Sequence, residues 1–220
     1  MKFLSYLLPR RLEQGKTESG QYYEVNLENG VKVLNSANTN YSYGSLHDIM
    51  LRGITEVFKK HRPHKILMLG LGAGSALKIF EKKAKWSYSV DVIEFDKGLI
   101  EIANRHFDVK DSENIRIIHD DAYKYVTSIG DSTYDFILDD VFLDDYIPGF
   151  CFSDEYLEAI QKKLNHEGVY LRNTMQHNRE ETKSYEHKLK RYFPGYYSLK
   201  DPKHGNKIYF CQSSHEPQKR

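Results

Sequence analysis

Between residues 22 and 34 polar and apolar positions alternate, with Val25 and Leu27 before Asn29-Gly30 and Val31 and Val33 after it. An Asn-Gly pair between alternating runs predicts a β-hairpin, because both turn residues take positive φ. After a polar stretch the period changes. Ser45 can cap a helix whose third position is Asp48, and Met50, Ile54, Val57 and Phe58 recur at helical spacing before Arg62-Pro63 stops the pattern.

From there strands and helices alternate. Ile66 to Leu69 reads as a buried strand, Ser75 to Lys83 as a helix and Tyr88 to Glu94 as a second strand. Asp96 can cap a helix carrying Leu99, Ile100, Ala103 and Phe107. Ile115 to His119, Phe136 to Asp139 and Gly168 to Asn173 add strands, and Ser153 to Leu164 adds a helix with Asp154 and Glu155 in its first turn. A further helix over Arg179 to Tyr192 ends at Pro194-Gly195. The strands Tyr196 to Leu199 and Lys207 to Cys211 follow, joined by a connection too short for a parallel crossover. The expected fold is doubly wound α/β: a seven-stranded, mostly parallel, Rossmann-like sheet that ends in an antiparallel hairpin. The expected division is an N-terminal hairpin segment over 1–44, the α/β domain over 45–216 and a tail over 217–220.

Composition narrows the function classes. The 220 residues carry 32 Lys+Arg against 31 Asp+Glu, a net charge of +1, with 40% hydrophobic and 29% charged residues, so a real core forms and disorder is excluded. Near-neutral charge removes the broad electrostatic footprint of a nucleic-acid binder, and Lys183, Lys188, Lys190 and Arg191 read as a solvated helix face. Nucleic acid is therefore not the expected partner. Cys151 and Cys211 cannot build a bridged framework or a four-thiolate zinc site and read as structural thiols of a reduced, cytoplasmic protein. The apolar run Phe3 to Leu8 is too short for a signal segment, and no stretch is long enough for a membrane span. His61 and His64 flank Pro63 without metal-ligand spacing, so no metal is expected.

The chemistry gathers at the carboxyl ends of the strands. The first α/β strand runs into Gly70-Leu71-Gly72-Ala73-Gly74 and then a helix, a turn that lets backbone approach a ligand and points N–H groups at it. Position 75 is Ser where a dinucleotide fingerprint has its third glycine, which disfavours NAD. Glu94 closes the next strand about 20 residues on, where an acid accepts both hydroxyls of a ribose. Asp121 with Ala122 follows the third strand; it either hydrogen-bonds an adenine amine or merely caps a helix. Asp139 and Asp140 end the fourth strand, and only one of two adjacent acids can face a ligand. A carboxylate there can attract a cationic amine and take its proton. Asp144, Asp145 and Tyr146 are expected to shape the acceptor's entrance. The 17 tyrosines either line that pocket or fill the core.

Taken in order, Ile66-Leu-Met-Leu-Gly-Leu-Gly-Ala-Gly74, Val90-Asp-Val-Ile-Glu-Phe-Asp96, Asp120-Asp-Ala122 and Tyr134-Asp-Phe-Ile-Leu-Asp-Asp140 resemble the spermidine/spermine synthase family, which shares the class I S-adenosylmethionine-dependent transferase fold. Ile147-Pro148, Ser153-Asp-Glu-Tyr-Leu157 and Gly168-Val-Tyr-Leu-Arg-Asn173 are similar to its shorter bacterial members. The resemblance implies that Gly70, Gly72 and Gly74 line a nucleotide site, that Glu94 holds the ribose, that Asp121 and Ala122 meet adenine and that Asp140 is the amine-deprotonating acid. His47 is expected near the substrate, although Leu46 replaces the family's tyrosine before the His-Glu pair.

The departures change the expected chemistry. The acid that the family places in its glycine loop is Ala73, and the second acid three residues beyond Asp140 is Leu143. Decarboxylated S-adenosylmethionine ends in a cation that needs such an acid, whereas intact S-adenosylmethionine carries a carboxylate that the acid would repel. The leading expectation is methyl transfer from S-adenosylmethionine to a small polar or cationic acceptor such as an amine. Aminopropyl transfer from the decarboxylated cofactor and a noncatalytic nucleotide-binding module are the alternatives. The assembly considered is a homodimer, and no membrane partner is expected.

Overall fold

The computed structural model describes residues 9–38, 45–128, 130, 132–175, 179–201 and 205–213, with the side chains of 45–47 left aside. The expected tail over 217–220 lies outside the described residues.

Among the described residues ten strands and six α-helices follow one another as β1 (Arg10–Lys16), β2 (Tyr22–Glu28), β3 (Val31–Asn35), α1 (Ser45–Lys60), β4 (Lys65–Leu69), α2 (Ser75–Lys83), β5 (Ser89–Glu94), α3 (Lys97–Phe107), β6 (Ile115–His119), α4 (Ala122–Thr127), β7 (Tyr134–Asp139), α5 (Asp154–Lys163), β8 (Leu164–Met175), α6 (Arg179–Tyr192), β9 (Tyr197–Lys200) and β10 (Asn206–Gln212). The main sheet has the order β6-β5-β4-β7-β8-β10-β9. Its first five strands are parallel, and β10 is antiparallel to both of its neighbours. This is the seven-stranded α/β sheet with a terminal antiparallel hairpin that the strand-helix alternation predicts.

Period-2 alternation sorts each strand between two cores. Ile66, Met68, Phe136, Leu138, Leu171 and Ile208 pack under α1, α2 and α3. Leu67, Leu69, Ile137, Tyr170 and Tyr209 pack under α4, α5 and α6. Helix starts are chemically specified: the Asp96 side chain accepts from the N–H groups of Gly98 and Leu99, Asp121 from Lys124 and Ser153 from Tyr156.

The N-terminal part corrects the expectation of a single hairpin. β2 and β3 pair around Asn29-Gly30 as predicted, and β1 adds a third antiparallel strand to β2. This small sheet is clasped to the α/β domain by two carboxylates. Asp96 accepts from the hydroxyls of Thr17, at 2.6 Å, and Ser19. Asp144 accepts from the Ser36 hydroxyl and from the backbone N–H and side-chain amide of Asn38 at 3.2 and 2.5 Å.

Candidate functional site

Where β4 ends, the backbone turns through Gly70, Gly72 and Gly74, all at positive φ. A Cβ on Gly70 would stand 2.6 Å from the carbonyl oxygen of Asp140, so the end of β4 can lie against the end of β7 only with glycine there. Gly74 serves packing instead: it is the N-cap of α2, and Val109 occupies the space where its Cβ would be. The turn opens a cavity of about 170 Å³ outside the carboxyl ends of β4, β5 and β7, lined by Gly70, Gly72, Glu94, Asp121, Ala122 and Asp140 among others. Gly74, expected with the other two glycines at the nucleotide site, is not part of that lining.

Glu94 is 8% exposed and accepts from the backbone N–H groups of Leu71 and Asp96, each at 2.9 Å. The acid at the end of β5 is thus fastened to the glycine turn. Burial pushes its carboxyl above the usual range, opposed by those two backbone hydrogen bonds. Asp121 spends one oxygen on the N-terminus of α4, at 2.9 Å from the Lys124 N–H, and still lines the cavity beside Ala122.

Across the cavity, Asp140 follows β7. Its Oδ1 accepts from the side-chain amide of Asn173 at 2.9 Å, and Asn173 in turn accepts at 3.2 Å from the amide of Asn206, so a buried chain crosses β10 and β8 to reach it. Burial raises the Asp140 carboxyl, while the Asn173 hydrogen bond and the nearby Arg172 charge pull it back.

Asp139 does not shape the entrance. It is fully buried on the other face of the sheet, paired with Arg172 and accepting from the hydroxyls of Tyr156 and Tyr170 at 3.0 and 2.8 Å. Asp144 lines the cavity, but its carboxylate is turned to Ser36 and Asn38. Asp145 is exposed and lies outside the cavity wall. His47 is in the first turn of α1, and its side chain lies outside the described residues. Tyr146 belongs to a second cavity of about 300 Å³, which meets the first at Met175 and carries Phe152, Tyr185, Tyr209 and Glu181.

The sequence reading missed the apolar walls. Phe95, 53% exposed beside Glu94, lines the first cavity with Leu99, Val141 and Phe142, and Gln21 reaches it from the N-terminal sheet. An exposed aromatic directly after the strand-end acid was the available signal for Phe95. Nothing local marked Gln21, which tertiary packing brings there.

The spermine/spermidine synthase domain profile matches residues 47–216. The chain belongs to the spermine/spermidine synthase family. It is 33% identical over 153 residues to the polyamine aminopropyltransferase of Vibrio vulnificus (strain CMCP6), covering 67% of this chain and 50% of that protein. It is 30% identical over 159 residues to the mouse (Mus musculus) eEF1A lysine and N-terminal methyltransferase, covering 68% of this chain and 23% of that one. The chain thus spans half or less of the length of these relatives. Human methyltransferase-like protein 13, solved in complex with SAH, superposes with a TM-score of 0.67 at 25% identity over 81% of this chain and 86% of its own. A probable spermidine synthase from Corynebacterium glutamicum ATCC 13032 shares the fold, with a TM-score of 0.80 at 18% identity over 93% and 81%.

The two positions where the resemblance leads one to expect acids carry apolar side chains. Ala73 is 2% exposed and packs into the core under α1 to α3, so the glycine turn carries no acid of its own. Leu143 lines the cavity as an apolar side chain. No helix among the described residues is long and apolar enough to cross a membrane.

Proposed function

We propose that this family member is a methyltransferase that uses S-adenosylmethionine and acts on an amine-bearing acceptor. One observation carries the reading: two acids on the strand ends either side of β4, Glu94 after β5 and Asp140 after β7, border a single cavity whose turn, at Gly70, admits no side chain. Ligands of open α/β sheets bind in that crevice. The residues fit the cofactor, with Gly70 and Gly72 as a close backbone wall, Glu94 for ribose hydroxyls, Asp121 and Ala122 at the adenine end, and Phe95 and Leu99 as apolar cover. When bound, S-adenosylmethionine supplies an electrophilic carbon on a sulfonium.

The chain's own residues supply the rest. Asp140, ionised, holds the acceptor's ammonium and accepts its proton before the amine acts as a nucleophile. The walls fix reactant geometry and exclude water, which is where most of the acceleration in such a displacement originates. The second cavity is consistent with an amine acceptor, since aromatic side chains, Tyr146 and Phe152 among them, and the acid Glu181 line it together with Lys188. Methyl transfer is favoured over aminopropyl transfer by Ala73, because a donor ending in a cation finds no carboxylate on the glycine turn. The aminopropyltransferase and methyltransferase relatives keep both donors in view.

Calorimetry with the intact and the decarboxylated cofactor is the direct test. Intact S-adenosylmethionine should bind more tightly, and Glu94→Ala should weaken it at least tenfold. Asp140→Asn should leave that binding in place and lower turnover by about 10²–10⁴-fold. Preference for the decarboxylated form, with methylthioadenosine as product, would replace methyl by aminopropyl transfer. Undiminished turnover in Asp140→Asn would remove Asp140 from the mechanism.

A further inference from the structure

The opposite pole of the main sheet has a different chemistry. Near the amino end of β4 the fold joins two short basic segments that sequence keeps apart, Lys59-Lys60-His61-Arg62-Pro63-His64-Lys65 and Lys82-Lys83-Ala84-Lys85-Trp86. The first leaves α1 and enters β4, and the second leaves α2. Between them lies a hollow of about 350 Å³ lined by Phe58, Lys59, Lys60, His61, Arg62, Lys85 and Trp86, with no acid in the lining. Its aromatic part is organised: Trp86 donates its indole N–H to the Pro63 carbonyl at 2.8 Å and meets the Phe58 ring edge-on at 5.0 Å. Three acids adjoin the hollow without lining it: Glu56 pairs with Lys59 and Lys60 at 3.6 and 3.0 Å, Asp135 accepts from the backbone N–H groups of His64 and Lys65 at 2.9 Å, and Glu167 lies near His61. Among the described residues Arg62 and Lys85 form no ion pair.

We propose that this hollow is a binding site for single-stranded nucleic acid, with phosphates held by Lys59, Lys60, Arg62 and Lys85 and a base resting against Trp86. Clustered cations around a partly exposed aromatic ring are the two components that sequence-tolerant strand binding requires: electrostatic tracking of the backbone and stacking of a base. The concave shape selects a strand over a flat lipid surface, which would need an apolar face pressed outward. A net charge of +1 hides the site because it sums the whole chain, whereas the linings of the two cavities differ in sign. Glu94, Asp121, Asp140 and Asp144 gather at the carboxyl ends, and the lysines and Arg62 gather at the amino end. The site is separate from the proposed transferase cavity and stands whether or not that reading holds.

Trp86 is the single tryptophan of the chain and is therefore its own reporter. The test titrates the full chain with a labelled oligouridine dodecamer, reading anisotropy for affinity and Trp86 fluorescence for contact. Saturable binding with quenching is expected. Its log K should fall with log salt at a slope of about −3, as four phosphate contacts on a single strand give. Arg62→Glu with Lys85→Glu, both exposed and remote from the cavity, should weaken binding at least tenfold with the thermal unfolding temperature unchanged. Sodium tripolyphosphate and phosphatidylserine vesicles serve as the other arms. Binding of either one in preference to the oligonucleotide, absence of oligonucleotide binding at low salt, or equal affinity in the charge-reversed variant would each overturn the assignment.

Discussion

Asp139 and Asp140 are neighbours in sequence and opposites in structure. Asp139 points to the face covered by α4, α5 and α6, where the register of β7 against β8 sets it beside Arg172 and two tyrosine hydroxyls complete its coordination. Asp140 points the other way and receives one amide, from Asn173, and otherwise borders the cavity. A carboxylate with a full set of partners is an architectural part, while one left half-served at the edge of a cavity can exchange a partner for a substrate. The same strand end therefore supplies a fixed charge and a working one, and what separates them is the strand's two-residue alternation.

The comparison breaks most visibly through Arg172. Removing the guanidinium in Arg172→Met strands a fully buried carboxylate, which costs about 3–5 kcal/mol, a large share of a typical stability of about 5–15 kcal/mol. Urea unfolding should show that loss. Adding Asp139→Leu to the same chain should recover most of it, because an apolar pair of similar volume no longer strands a charge. A single variant as stable as the parent, or a double variant no better than the single, would remove the distinction drawn for Asp139.

How much of this was legible in the sequence depends on how local its cause is. The strands of the main sheet and the helices over Ser75–Lys83 and Arg179–Tyr192 follow from periodicity and caps; the two helices and β6 have the expected bounds, most other strands differ by one or two residues at an end, and β8 runs from Leu164 to Met175 rather than from Gly168 to Asn173. β1 was not legible, since Arg10 to Lys16 contains a single large apolar residue, Leu12, and is held by its backbone ladder to β2. At the site, the glycine turn, Glu94 and Asp140 could be named because strand-end position is a local property. The fate of Asp139 could not be read, because its partner Arg172 lies 33 residues away and faces it only through the pairing of two strands. Asp144 was expected at an entrance and instead holds Ser36 and Asn38, contacts that span more than 100 residues of sequence. Gly74 shows the same limit: its neighbour Val109 comes from beyond α3.

A smaller and more specific effect separates Asp140 from its own support. The Asn173 amide opposes the rise that burial imposes, together with Arg172, while Asp139 adds to it. Asn173→Leu deletes a hydrogen bond to a charged group, so the Asp140 carboxyl should titrate higher. Activity needs the ionised form, and the acidic limb of the kcat profile should therefore move up in pH. Carbon-13 NMR of labelled aspartate, assigned with Asp140→Asn, reads the same shift without turnover. An unmoved titration in a folded variant would mean that Asn173 does not support Asp140.

The smallest expected effect is on stability and has a definite sign. Because the folded Asp140 carboxyl titrates above its unfolded value, the folded state binds more protons between the two values, and the contribution of this group is present in acid and lost as pH rises through the folded pKa. Above that pH the ionised, partly buried group is a net cost that function retains. Asp140→Asn removes the charge yet keeps an oxygen for the Asn173 amide, so the variant should melt about 2 °C higher at neutral pH. The difference should close as the pH is lowered through the folded pKa. For Asp139→Asn the sign should reverse, since neutralising that side chain leaves the buried Arg172 guanidinium uncompensated. Two amide substitutions one residue apart would then shift the melting temperature in opposite directions, and if both lowered it, Asp140 would have to be counted among the structural carboxylates with its neighbour.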